Sequence, residues 1–195
     1  MYTFLAGPAL WVTFVFFIGG MTIRIIYLFS LSRVKDQVFY NHIKFSWGVK
    51  SIFYWLLPLG SVSLRSQPIF SIALFVFHLS LLATPLFLCA HNILWDEAFG
   101  ISLWFVSDSL ADAMTILLVL TGLFLFLRRL VRAEVRVLTE KRDYALLLLT
   151  MLPFITGFFA YHQIGPYQLM LILHILSGEI LLILIPLTKL GHMVL

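Results

Sequence analysis

Long apolar runs alternate with short polar connections along this chain, and the length of the runs sets the architecture. Five of them approach the roughly 20 residues that carry a helix across a hydrocarbon layer. They cover about Phe4 to Phe29, Ile69 to Cys89, Leu110 to Leu127, Ala145 to Tyr161 and Leu169 to Leu187. A sixth stretch, Ser46 to Leu57, is apolar and aromatic but too short to cross. It predicts an interfacial helix lying along one membrane surface, ended by Pro58 and Gly60. The expected fold class is an all-α integral membrane protein with five transmembrane helices, forming a single membrane domain over residues 1–195.

Composition agrees with this pattern and closes off other classes. The chain is 62% hydrophobic, with 19 Phe, 5 Trp and 7 Tyr, and its mean hydropathy is +1.03. Those values exclude an ordinary soluble domain and a disordered chain, and the aromatic excess suits interfacial belts. Met1 to Leu10 has no basic lead before the first run, so no cleavable signal is expected. Cys89 is the only cysteine. Internal disulfides, cysteine-ligated iron–sulfur clusters and c-type haem attachment are therefore excluded, and Cys89 reads as a small packing residue.

Charge then orients the spans. Arg24, Arg33, Lys35, Lys44, Lys50 and Arg65 lie at or after the end of the first run. Arg128, Arg129, Arg132, Arg136, Lys141 and Arg142 lie between the third and fourth, and Lys189 follows the fifth. These are all 13 Lys and Arg. The alternate connections hold none and include the acidic Asp96, Glu97 and Asp108. By the positive-inside rule the N-terminus is outside and the C-terminus cytoplasmic.

Within this frame the histidines carry the chemistry. Of six, His174 and His192 stand eighteen residues apart at the end of the chain. On an unbroken helix of about 3.6 residues per turn, both rings would leave one face, roughly 27 Å apart. His78 and His91 occupy the second span, which runs the opposite way. Antiparallel helices bring His78 toward the level of His192, and His91 toward that of His174. Haem iron takes two axial imidazoles, and facing helices of a bundle supply them. The expectation is two haems b, an inner one on His78 and His192 and an outer one on His91 and His174. The span-two pair fits less well, because thirteen residues place two rings about 140° apart on an ideal helix. Pro85 between them would kink the span and re-aim one ring.

Other polar groups border the membrane. Arg24 could pair with a haem propionate or snorkel to the surface. Glu179 and Asp112, within the spans, are candidates for quinone or proton chemistry, against structural roles for each. His162, at the end of the fourth, could line a quinone site or replace His174 or His91 as the outer ligand. Asp108 reads as a helix cap, and His42 as an interfacial residue.

The ending Ile185-Pro186-Leu187-Thr188-Lys189-Leu190-Gly191-His192, with His174 upstream, resembles the last helix of respiratory nitrate reductase gamma subunits. It is also similar to the cytochrome b subunits of sulfate-reducer and heterodisulfide-reductase-type redox complexes. Phe77-His78 and Ala90-His91 match the second helix of that family. The resemblance covers most of the chain, and the span-two spacing is longer than in the nitrate reductase branch. It implies a two-haem relay between a membrane quinone, menaquinone for this family, and an iron–sulfur subunit on the cytoplasmic side. A periplasmic cytochrome is a further candidate partner, nucleic acid is not, and the location implied is a prokaryotic inner membrane. Two other classes compete: a haem-free subunit conducting protons or ions, and a structural membrane anchor.

Overall fold

The computed structural model describes residues 2–42 and 44–193. The described chain is helical, with no strand. It begins with α1 (Tyr2–Phe4) and a π-helical stretch (Leu5–Ala9), followed by α2 (Leu10–Lys35), α3 (Gln37–His42), α4 (Phe45–Leu56) and α5 (Val62–Arg65). Next come α6 (Pro68–Phe87), α7 (Cys89–Phe99), α8 (Asp108–Val131) and α9 (Ala133–Val137). The last elements are α10 (Lys141–Tyr161), α11 (Tyr167–Leu187) and a 3-10 turn (Lys189–Met193).

Five segments are long and apolar enough to cross a membrane: Tyr2–Lys35, Pro68–Phe87, Asp108–Val131, Lys141–Tyr161 and Tyr167–Leu187. Their boundaries depart from the sequence pattern in instructive ways. The first helix continues beyond Phe29 to Lys35, carried by Arg33 lying over the Phe29 ring at 4.7 Å and by basic charge at the negative end of the helix dipole. The second ends early, at Phe87. The cap of α8 is Ser107, and Asp108 falls in the first turn instead, where the dipole still favours its charge. The short helix expected at Ser46 to Leu57 is α4, one residue earlier. It closes at a turn in which Gly60 lies against the carbonyls of Tyr54 and Leu57 with no room for a Cβ.

The chain folds as two compact units, Met1–Ile52 with Phe159–Leu195, and Phe53–Phe158. In the second, α6, α8 and α10 close around Phe77, Leu118, Leu125, Leu147 and Met151. Helices surrounded by lipid gain nothing from merely being apolar, so close packing decides which faces meet. Gly122 provides such a contact, since a Cβ there would overlap the Met151 sulfur and come within 3.2 Å of the Phe77 ring. Gly122→Val is expected to destabilise this unit by about 1–3 kcal/mol through overpacking, measured by thermal unfolding in detergent. At the basic end, Arg128 donates to Gln67 Oε1 at 2.6 Å and covers the Phe70 ring at 4.1 Å. Arg129 donates to the Asp143 carbonyl at 3.1 Å. These two cations of the basic connection are thus tied into the fold.

In the first unit α2 and α11 lie side by side. Gly20 of α2 is flush against Pro186, and Arg24, one turn on, reaches the carbonyls of Pro186 and Thr188. Both contacts advance in the same direction along the two helices, so α2 and α11 run parallel.

Candidate functional site: imidazoles of the membrane helices

His78 is half-buried on α6. Its Nδ1 lies 2.8 Å from the Leu74 carbonyl, and its ring meets the buried Phe77 edge-on at 5.6 Å. His91, half-buried on α7, places Nδ1 2.9 Å from the Pro85 carbonyl. His192 places Nδ1 2.7 Å from the Lys189 carbonyl. A carbonyl only accepts, so in each of the three Nδ1 carries the proton, and Nε2 is the nitrogen through which the neutral ring would bind a metal. That is the tautomer a metal-binding imidazole needs when its second nitrogen is anchored. His42 makes the same bond to Val38 O, at 2.9 Å; the bond therefore sets the tautomer and not the role. His174 is half-buried on α11, where its carbonyl accepts from Ser177 Oγ at 3.1 Å.

Two sequence expectations about these rings are corrected. An unbroken last helix would stack His174 and His192 on one face. Instead α11 ends at Leu187, and Thr188 is extended, with φ −127° and ψ −175°. His192 sits in the 3-10 turn that follows. Pro186 has no N–H to give the last helical turn, and the helix stops just past it.

The second correction concerns span two, where the 140° offset presumed one continuous helix. The helix breaks at Leu88, whose φ is −69° and ψ 131°, three residues after Pro85. The carbonyls left at the break are all answered. Pro85 O takes His91 Nδ1, and Leu86 O takes Asn92 Nδ2 at 3.1 Å. Phe87 O takes the Val106 N–H, and Leu88 O the Asn92 N–H, each at 3.0 Å. Asn92 is 3% exposed, and its Oδ1 accepts from the Leu103 N–H at 2.8 Å. The break is thus a built feature that re-aims His91 and is held by Asn92. Sequence reading missed Asn92, although its place directly after His91 and two turns beyond Pro85 was a signal.

The remaining candidates fall at different places. Arg24 donates through Nη1 to the carbonyls of Pro186, at 3.0 Å, and Thr188, at 2.6 Å. Asp112 is half-buried in α8, and His162 is exposed in the turn after α10, its ring edge-on to Tyr161 at 5.2 Å. Glu179 is 6% exposed, and its Oε1 has no hydrogen-bond partner among the described residues. It stands seven residues before Pro186, as the buried Thr13 stands before Gly20, so two turns back the two polar groups are level on their parallel helices. Cys89, Asn92, Asp96, Glu97 and Ser102, with Ile93 and Phe105, line a shallow groove of about 200 Å³. Among the described residues no three His, Cys, Asp or Glu side chains gather as a metal site. A bis-imidazole iron needs only two imidazoles, one on each side of the ring.

These features define a multi-pass helical membrane protein whose spans and span ends carry imidazoles. No protein-family model matches the chain, and no solved structure matches it. It is 41% identical, over 199 aligned positions, to a protein of Nitratidesulfovibrio vulgaris (strain Hildenborough), an alignment covering 100% of this chain and 88% of that one. The chain belongs to the same family as that protein, whose description is the single word "Protein".

Proposed function

We propose that this chain is a di-haem cytochrome b subunit of a respiratory redox complex, passing electrons between membrane menaquinone and a partner subunit. The observation that carries the reading is the imidazole set. Three of the four expected ligands have Nδ1 anchored on a backbone carbonyl, so that each would ligate through Nε2. His78 and His192 would hold one haem, His91 and His174 the other. Bound haem supplies one-electron chemistry at the iron. The chain's own residues would supply the axial nitrogens and, for His78, His91 and His192, the carbonyl bonds that hold the rings.

The charge pattern supports an N-out, C-in orientation in a prokaryotic inner membrane, with the first haem on the cytoplasmic side. An iron–sulfur subunit is the partner there, since the one cysteine of this chain cannot hold a cluster. Asp112, His162 and Glu179 remain candidates for quinone or proton contacts.

The test is a reduced-minus-oxidised spectrum of the purified protein with chemical haem quantification. About two haems b per chain are expected. Absence of haem from protein produced under haem-replete conditions would sink the reading. It would favour a haem-free proton-conducting subunit, for which the buried, unpartnered Oε1 of Glu179 is the supporting observation.

A further inference from the structure

The stretch Ile185 to His192 behaves in the structure as a strapped tail. Past Leu187 the chain leaves the helix and would be free to swing. Arg24 Nη1 prevents this by donating to one carbonyl before the break, Pro186 O at 3.0 Å, and one within it, Thr188 O at 2.6 Å. Both bonds are charge-assisted and join carbonyls at the negative end of a helix. Gly191 then lies flat on the guanidinium. A Cβ there would stand 2.7 Å from Arg24 Nη1, 2.9 Å from its Cζ and 3.0 Å from Ile185 O. Arg24 is itself located by Gly20, one turn earlier on the same face, where a Cβ would come within 2.9 Å of the Pro186 ring. His192 is the residue directly after Gly191, and its Nδ1 is held by Lys189 O inside the same turn at 2.7 Å.

We infer that Arg24 is a positioning residue that straps the C-terminal turn to α2 and thereby sets where the His192 imidazole stands. The residue types of the ending then have physical reasons. Pro186 ends the helix and offers a flat ring to Gly20, Thr188 turns its carbonyl to Arg24, and Gly191 lets the backbone touch the guanidinium. The strap stands on the geometry alone. That the ring it places is a haem ligand rests on the proposed function.

The experiment uses the full chain purified with its haem, as wild type, Arg24→Gln, Arg24→Lys and Gly191→Ala. Two quantities are measured: amide hydrogen exchange over residues 188–192, and the low-spin paramagnetic resonance signals of the haems. In wild type the Gly191 N–H bonds Thr188 O at 3.3 Å. Arg24→Gln is expected to accelerate exchange there by about tenfold or more, as a local opening no longer held closed. It should shift or abolish one haem signal and leave the other unchanged. Arg24→Lys keeps the charge on a shorter side chain that lacks the planar Nη1–Cζ surface under Gly191, and is expected to fall between. Gly191→Ala disturbs the same contact from the other side while keeping Arg24, and should reproduce the signature if Arg24→Gln fails to fold. Exchange within about twofold of wild type in every variant would overturn the strap. A haem signal that shifts without any change in exchange would also overturn it, because Arg24 would then act on the haem directly. Accelerated exchange in a protein found to bind no haem would uphold the strap and refute the haem reading alone.

Discussion

His192→Ala is expected to halve the haem content and remove one of two spectroscopic species, leaving the other intact. A bis-imidazole iron that loses one axial nitrogen keeps only a single protein bond. His78→Ala should remove the same haem, because the two rings form one proposed pair, whereas His91→Ala and His174→Ala should each remove the other. The two span-two variants should differ in a second respect. The Leu74 carbonyl that anchors His78 lies inside a helix and has a backbone amide four residues on. The Pro85 carbonyl that anchors His91 lies at the break of Leu88. His91→Ala should therefore lose stability as well as haem, by about 1–2 kcal/mol for a part-buried acceptor left without a donor. Chemical haem quantification and unfolding curves in detergent check both halves. Loss of both haems from His192→Ala with the fold intact would show that the pairing is wrong.

The second large effect is expected at Asn92, a residue with no chemistry of its own. Its amide donates to Leu86 O and Leu88 O, both at 3.1 Å, and accepts from the Leu103 N–H at 2.8 Å. It thereby ties the broken span to the loop that follows α7. In Asn92→Ala, Leu86 O and the Leu103 N–H lose their partners, while Leu88 O keeps the Asn92 backbone N–H. At about 1–3 kcal/mol for each orphaned group, partly relieved because Leu86 and Leu103 are both exposed residues, the expected cost is roughly 1–3 kcal/mol. Asn92→Asp is the sharper test. It retains an acceptor for Leu103 but turns an oxygen toward two carbonyl oxygens, so it should cost at least as much as alanine. Denaturant unfolding followed by circular dichroism measures both, and a change below about 0.5 kcal/mol in either would mean that the break holds itself. Because His91 follows the break directly, Asn92→Ala should also weaken the haem assigned to His91 and His174 while sparing that of His78 and His192.

Much of the architecture was legible in the residue pattern. The runs at Phe4 to Phe29 and Leu110 to Leu127 marked α2 and α8, because a helix in lipid must be apolar along about 20 residues whatever it packs against. Ser46 to Leu57 marked α4 for the opposite reason, being apolar but too short. Helix ends were less legible. Nothing in the apolar pattern changes at Leu88, since Leu86, Phe87, Leu88 and Cys89 are as apolar as their neighbours. Pro85 pointed to a disturbance there without saying whether it would be a kink or a full break.

The candidate site divides in the same way. Histidines stood out by type, because an imidazole in an apolar span is costly and rare. Their directions did not, since direction follows from φ and ψ at a single residue such as Thr188 or Leu88, and a period of 3.6 carries no such information once the helix has ended. Arg24 shows the point most clearly. Its charge and its place at the end of a span suited a propionate, a lipid headgroup or a carbonyl equally well, and the turn folded against α2 selected the carbonyls of Pro186 and Thr188.

By itself, then, the sequence determined how many spans this chain has and which residue types they bury, because those follow from the cost of polar groups in hydrocarbon. Where the second and fifth spans stop, which nitrogen of His78, His91 and His192 carries the proton, and what Arg24 and Asn92 hold were decided only by the tertiary structure. They depend on which carbonyls lack a partner, and that is a property of the folded backbone.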